Sequence, residues 1–490
     1  MALPAARLPN PGAERPRGRR RARPDRPPGT AARVLRGQAE GGAALRRSTR
    51  RGRLRETRAP AARCSSLVAC ERPAWRPRRC VRGRRCPAWR DRARRRRARL
   101  TRTRSRARAA EQAEAVAPTQ DALYRDLALD LSWSESELPE RERTKHVHRL
   151  HPYLGKFIPQ LVEVLLDRYF VAGQHVLDPF AGSGTTLVQA LESGLDATGA
   201  DIAAFNCLLM EVKTRRYNPF VLERELRAAC ERIGETSRER PRGYLRAWFA
   251  PQSARELLGF RELVDDYVNS DVLRVVLGRA ARSARRTRHF DLDFPREPQR
   301  EEYWCHKHKR VCRPVGEAAP FLRRYALDTL ERIKGFSRVR ARTREAAVLH
   351  GDARELDFGG PFHGVVTSPP YPGLIDYHEQ HRYAYELLAL DDCRELEVGA
   401  GAAGTSRGAL EAYADGIVAT LRNVRRSLRP GAPVLIVVND RRELYPEILE
   451  RAGLREERRH RRHVNRRTGR RAGEYFEDVL VCRFTSGAKA

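Results

Sequence analysis

The chain reads as an α/β protein: a doubly wound, mostly parallel sheet closing in a C-terminal antiparallel hairpin, with a mostly helical region inserted partway. Three observations predict this. From residue 119 onward, short apolar runs bounded by Gly, Pro or Asp alternate with segments of helical apolar spacing. The first apolar run feeds a glycine loop, Asp178-Pro179-Phe180-Ala181-Gly182-Ser183-Gly184-Thr185-Thr186. Between the second and third runs lie about 130 residues, 215–344, far more than the few residues that ordinarily connect such elements.

The elements follow in order. Residues 161–169 (LVEVLLDRY) carry apolar side chains at helical spacing and predict a helix. Residues 175–178 predict a strand, 186–193 a helix and 197–201 a second strand. After the insertion the pattern resumes with strands at 347–350, 364–367 and 433–438, a helix at 443–452 and a last strand at 477–484. Such alternation implies a sheet covered by helices on both faces. Segment 454–464 faces the last strand across the turn-rich NRRTGRRAGE, which predicts an antiparallel hairpin. Its Arg, Glu and His content shows no apolar alternation, so that strand rests on its partner. Within the insertion, 273–284 and 321–336 have helical spacing. The expected organisation is an arm at 1–118, a first half of the α/β domain at 119–214, the insertion at 215–344 and a second half at 345–490.

Charge is uneven. Of the formal +35, about 28 units fall within residues 1–118, leaving the rest only modestly basic. Segments such as RPRGRRRARPDRPP cannot bury enough apolar surface to offset chain entropy. Two readings stand for this arm: a disordered cationic segment on nucleic acid, with salt-dependent affinity, or an upstream in-frame extension of a high-GC gene. A later start would need a non-Met codon, because the next methionine is Met210. No apolar core resembling a secretory signal follows the basic residues, and no apolar run is long enough to span a bilayer. Four of the ten cysteines, Cys64, Cys70, Cys80 and Cys86, lie in the arm; all ten are expected as reduced thiols in a cytoplasmic protein.

The glycine loop suits a nucleoside ligand. Gly182 and Gly184 let the backbone approach closely, and Thr185 and Thr186 can open the next helix. No GxGxxG or GK[S/T] signature occurs, and Asp178 at the strand end is acidic, which disfavours phosphate and favours the cationic methionine end of S-adenosylmethionine. A plain tight turn is the alternative. Asp201 closes the second strand about twenty residues after the loop, where an acid can bind both ribose hydroxyls. Asp352, in LHGDAREL, closes the next strand and could reach an adenine amino group.

Thr367-Ser368-Pro369-Pro370-Tyr371 resembles the catalytic motif of the amino-methylating DNA methyltransferases, which make N4-methylcytosine or N6-methyladenine. Upstream, HPYLGKFIP (residues 151–159) resembles the segment that packs around the cofactor's methionine in that family, bringing Lys156 and Phe157 to the cofactor with Phe180 and Ser183. The resemblance covers roughly residues 145–485. His378, Glu379, Arg382 and Tyr383, and the closing VNRRTGRRAGEYFEDVLV, also look like family segments, without an assigned role. It implies a Rossmann-like S-adenosylmethionine-dependent fold, double-stranded DNA as partner and, as a companion some such enzymes have, a cognate restriction endonuclease. Target sequence and oligomeric state stay open. In this reading Ser368 and the Pro369 carbonyl accept the two N–H bonds of an exocyclic amine, Pro370 adds rigidity, and Tyr371 stacks on the flipped base. Ser at position 368 leans toward cytosine N4; adenine N6, an RNA base amine and a non-catalytic nucleic-acid binder are the alternatives. No cysteine of the folded part follows a proline, which disfavours carbon-5 methylation.

The insertion is the expected target reader. His289, Cys305, His308 and Cys312 could supply four zinc ligands, with separate cysteines and surface histidines as the alternative. Tyr303, Trp304, Lys307, Lys309 and Arg310 form a candidate aromatic and cationic nucleic-acid patch.

Overall fold

The computed structural model describes residues 131–485 apart from 134–136, 140–141, 143, 154, 156, 236, 288–296, 306–308 and 465–474. The expectations for arm 1–118 therefore fall outside the described residues. In chain order the elements are α1 (Pro159–Tyr169), β1 (His175–Asp178), α2 (Thr185–Glu192), β2 (Asp196–Asp201) and α3 (Ala204–Thr214). The insertion supplies α4 (Pro219–Glu231), α5 (Gly243–Trp248), α6 (Pro251–Leu263), α7 (Ser270–Ala284), β3 (Tyr303–Cys305), β4 (Arg310–Cys312) and α8 (Ala319–Ser337). Then come β5 (Ala346–His350), β6 (Gly364–Thr367), α9 (Tyr377–Gln380), α10 (Arg382–Leu388), α11 (Arg407–Arg425), β7 (Val434–Val438), α12 (Tyr445–Ala452), β8 (Leu454–His463) and β9 (Phe476–Phe484).

Seven strands form one sheet in the order β5-β2-β1-β6-β7-β9-β8. Strands β5, β2, β1, β6 and β7 run parallel; β9 is antiparallel to both its neighbours. The fold is Rossmann-like, as the alternation predicts. The chain winds outward from β1 through β2 to β5, then returns to the other side of β1 with β6. That reversal opens a crevice between the C-terminal ends of β1 and β6, where open α/β sheets bind ligands.

Side-chain alternation explains the two-sided burial. Leu177, Val365, Val434 and Ile436 join a core under α11 and α12, while Val176, Val366, Leu435 and Val437 join one under α1 and α2. Every residue of β7 (VLIVV) is buried, as befits a strand covered on both faces. Helix α11 has no counterpart among the sequence expectations. Its signal is present: Tyr413, Ile417, Leu421 and Val424 recur at helical spacing, and the Ser406 hydroxyl accepts the Ala409 N–H at 3.3 Å. Strand β8, rich in Arg and Glu, forms on the outer edge, where charge guards against further strand pairing.

The insertion does not stand apart. Leu258, Phe260, Val276 and Leu322 share one core with Phe205 and Leu209 of α3 and Tyr383 and Leu387 of α10. Its helices α7 and α8 contain the two predicted from spacing and extend them. The zinc reading finds no support: Cys305 and Cys312 occupy a two-stranded hairpin, where Cys305 is buried opposite Arg310 and Cys312 lies opposite Tyr303. His289 and His308 lie outside the described residues, and among those described no three metal-ligating side chains gather. Among the same residues no helix is long and apolar enough to cross a membrane.

Gly199 in β2 measures how closely α2 lies on the sheet. A Cβ there would stand 2.5 Å from Leu187 Cδ1 and 2.9 Å from Ala181 Cβ. Gly199→Ala is expected to destabilise the fold by about 1–3 kcal/mol through overpacking, read as a lower urea midpoint at unchanged slope.

Candidate active site

β1 ends in Asp178, whose carboxylate is buried beneath the glycine loop. Its Oδ1 accepts the Thr367 hydroxyl at 2.6 Å and the Phe180 N–H at 3.1 Å; its Oδ2 accepts the Thr186 hydroxyl at 2.6 Å. Thr186 also lies 3.2 Å from the Val366 carbonyl. The acid of the first motif thus grips the threonine that opens TSPPY and one in the first turn of α2. Burial raises its pKa to about 6, against the three donors that pull it down. Asp178 lies behind the cleft and not on its wall, contrary to the sequence expectation that it faces the methionine end of a cofactor.

Above this joint lies a cleft of about 830 Å³. Phe157, Phe180, Gly182, Ser183 and Thr185 line it from one side, Asp201 and Asp352 from the ends of β2 and β5, and Ser368 and Pro370 from the end of β6. Most residues expected to contact cofactor or substrate therefore meet in one place. Gly184 stands off the wall as the left-handed cap of α2 (φ 79°), and a Cβ there would meet Met210 Cγ at 2.8 Å. Pro369 and Tyr371 also lie off this wall, the tyrosine hydroxyl donating to Glu477 Oε1 of β9 at 3.1 Å. Lys156 falls outside the described residues.

Asp201 is held by three nitrogens. Its Oδ2 accepts the Gly182 N–H at 2.8 Å, and its Oδ1 accepts the Ala203 N–H at 2.8 Å and Asn206 Nδ2 at 3.0 Å. Burial nevertheless raises its pKa to about 6. Asp352 behaves oppositely. Partial burial pushes it up, but the Arg354 guanidinium, 2.5 Å away, and the Arg354 N–H outweigh that and hold it below the usual carboxylate range. Lys213 pins the loop by donating to the Ser183 carbonyl.

Sequence reasoning missed Tyr153, Asn206, Tyr377 and Glu397, all on the cleft wall. Tyr153 and Tyr377 stack with ring centroids 5.5 Å apart, and Asn206 Nδ2 donates to the Tyr153 hydroxyl at 3.2 Å. Glu397 accepts the His378 N–H at 2.9 Å and pairs with its Nδ1. His378 Nε2 accepts the Cys393 N–H at 3.3 Å, so the ring proton sits on Nδ1. Tyr153 and Tyr377 lie inside segments that resemble the family; Asn206 and Glu397 carry no local signal. His381 and His151 form an aromatic cluster behind this wall, Tyr383 bonding His151 Nε2 at 2.8 Å. Burial lowers the pKa of both histidines, His381 to about 3, so both are neutral.

A family model described as DNA methylase, of the N6 and N4 type, matches residues 96–211. Type II methyltransferase M.MjaII of Methanocaldococcus jannaschii is 35% identical over 445 residues, covering 72% of this chain and 82% of its own. The chain belongs to the amino-methylating DNA methyltransferases. Type II methyltransferase M.BsoBI of Geobacillus stearothermophilus is 22% identical over 286 residues, covering 53% of this chain and 56% of its own. Among solved structures, the rRNA methyltransferase aviRa of Streptomyces viridochromogenes aligns at 12% identity and TM-score 0.29, covering 68% of this chain and 88% of that one. The fold assignment rests on the strand order above.

Members of this methyltransferase family take their methyl group from S-adenosylmethionine, and the wall of the cleft fits that ligand. It presents three carboxylates, Asp201, Asp352 and Glu397, and among the described residues no Lys, Arg or His. A phosphate-bearing ligand would meet three carboxylates and no basic side chain there; a cation with hydroxyl and amine donors meets acceptors.

The joint at Asp178 gives a pH test. Its pKa is 3.8 unperturbed and about 6 when folded, so between those values the folded chain holds a proton that the unfolded chain has released. That contribution makes stability fall as pH rises through the window and stay lower above it. Asp178→Asn removes the titration, so the variant's stability relative to the parent should rise between about pH 4 and 6 and be flat outside, measured by urea unfolding across pH.

Proposed function

We propose that the chain is a site-specific DNA methyltransferase that moves the methyl group of S-adenosylmethionine to the exocyclic amine of a base flipped from the duplex, cytosine N4 in particular. The observation that carries this reading is the junction at the switch point: the glycine loop and TSPPY, tied through Asp178, open on one anionic cleft.

When bound, the cofactor would supply an electrophilic methyl on a sulfonium, and Asp201 and Asp352 would be the residues to hold its ribose and its adenine. The protein prepares the nucleophile. An exocyclic amine is conjugated with its ring, so its lone pair is poorly available. The Ser368 oxygen and the Pro369 carbonyl accept its two N–H bonds and draw the nitrogen toward a tetrahedral geometry, freeing the lone pair. Neither proline offers a competing N–H, and both restrict the backbone that carries the acceptors. Tyr371 stacks on the flipped base. Transfer would join the nitrogen to the methyl as the sulfonium leaves as a thioether, and the nitrogen would then lose one proton to solvent. Orientation and charge placement supply the rate, and no covalent enzyme intermediate is required. Ser, not Asp, at position 368 favours cytosine N4 over adenine N6.

The insertion is the proposed target reader. Trp304 and Val311 face each other across the β3–β4 hairpin and are 56% and 55% exposed, beside Lys309 and Arg310. Aromatic surface flanked by cations suits nucleic acid. A restriction endonuclease recognising the same site is the proposed companion.

The test is to incubate the protein with tritiated S-adenosylmethionine and either unmethylated duplex DNA or RNA, digest, and identify the labelled nucleoside. Label in N4-methylcytosine is expected; label in N6-methyladenine would move the acceptor, and label in RNA alone would sink the reading. Ser368→Ala combined with Pro369→Ala should lower turnover by about 10²–10³-fold while cofactor affinity, measured by calorimetry, stays near the parent value.

A further inference from the structure

The closing segment of the chain takes no part in the chemistry above, yet it reaches the TSPPY clamp. Strand β9 pairs antiparallel with β7, setting Asp478 opposite Val438 at the end of the sheet where β1 and β6 also finish. Glu477, one residue earlier, meets Tyr371: the phenol donates to its Oε1 at 3.1 Å. The register of the hairpin sets Arg462 of β8 opposite Glu477, with Arg462 Nη1 at 3.8 Å from Glu477 Oε2.

Arg462 is only 4% exposed, and its Nε and Nη1 find no hydrogen-bond partner among the described residues. Its guanidinium carbon lies 5.8 Å from the centre of the Trp133 ring. A buried cation whose N–H groups are incompletely paired is a net cost to folding unless it serves a neighbour. The charged neighbour here is Glu477, and the ionised form of that carboxylate is the better acceptor for a phenol. Burial, with the Glu477 charge beside it, raises the Tyr371 pKa well above its ordinary value, so the phenol keeps its proton and remains a donor.

We propose that Glu477 and Arg462 are positioning residues that hold the ring of Tyr371 as a fixed stacking surface for the flipped base. The inference rests on the methyltransferase reading. Tyr371 is anchored at its backbone by Pro370 and at its hydroxyl by Glu477, and the Arg462 guanidinium stands against the other oxygen of that carboxylate. A ring pinned at both ends cannot swing away when the base enters, so less ordering is needed at the moment of transfer.

A double-mutant cycle on the full chain tests this, with unmethylated plasmid DNA and tritiated S-adenosylmethionine. Glu477→Ala and Tyr371→Phe should each lower kcat about tenfold while leaving the KM for the cofactor unchanged. The double variant should be no slower than either single one, because Glu477 acts only through the hydroxyl. Glu477→Gln, which keeps an acceptor, should recover most of the loss. If Glu477→Ala leaves Arg462 uncompensated and fails to fold, Glu477→Ala with Arg462→Met removes both charges and carries the same test. Losses that multiply in the double variant, or a cofactor KM that rises in step with the fall in kcat, would overturn the positioning role. Should the parent protein label neither DNA nor RNA, the functional reading falls and this inference with it.

Discussion

The site depends on one carboxylate that never reaches it. Asp178 lies buried at the end of β1 and takes hydroxyl hydrogen bonds from Thr186 and Thr367, residues that belong to the two motifs on which the chemistry rests. Taking a carboxylate out of water is unfavourable, and its pKa near 6 records that penalty. The three donors around it offset part of the cost and convert the rest into geometry: the glycine loop cannot shift relative to TSPPY without leaving a buried acceptor unpaired. Two segments about 180 residues apart in the chain therefore behave as a single unit.

Topology makes that joint available. Strands β1 and β6 are far apart in sequence but adjacent in the sheet, because the winding reverses between β5 and β6. Their parallel pairing brings both C-terminal ends to the same edge. The roughly 130-residue insertion between β2 and β5 leaves this undisturbed, since it packs against α3 and α10 and not into the crevice. A loop of that length adds little closure entropy beyond that of a shorter one, and its apolar faces share the core of the helices it covers.

Much of this was legible in the sequence, for identifiable reasons. Glycines that need positive φ, prolines that restrict a strand end and short continuous apolar runs are local properties, so the loop, the clamp and the central strands could be read directly. Helix α11 is equally legible from its spacing and its Ser406 cap. Other features are tertiary. Nothing near Asn206 or Glu397 says that each will reach the cleft wall, because their neighbours come from remote segments. Asp178 was placed at the strand end correctly but given the wrong neighbours: an acid at a strand end reads the same whether it faces a ligand or a buried hydroxyl. The same limit applies to Cys305 and Cys312, whose spacing suggested a metal while, among the described residues, no three metal-ligating side chains gather around them.

The charged strand β8 is where local reading and tertiary need diverge most. A segment of Arg, Glu and His has poor strand character by itself, and only the β9 register makes it a strand. Its outward residues protect an exposed sheet edge, a reason for charge that involves no ligand. Arg462 escapes that explanation, because it points inward and is buried. An arginine on the inward face of an edge strand would be better replaced by an apolar residue if packing were its only task. Its position opposite Glu477, which in turn holds the Tyr371 hydroxyl, supplies the missing reason: the edge of the sheet is built to brace the clamp from the side that β6 cannot reach.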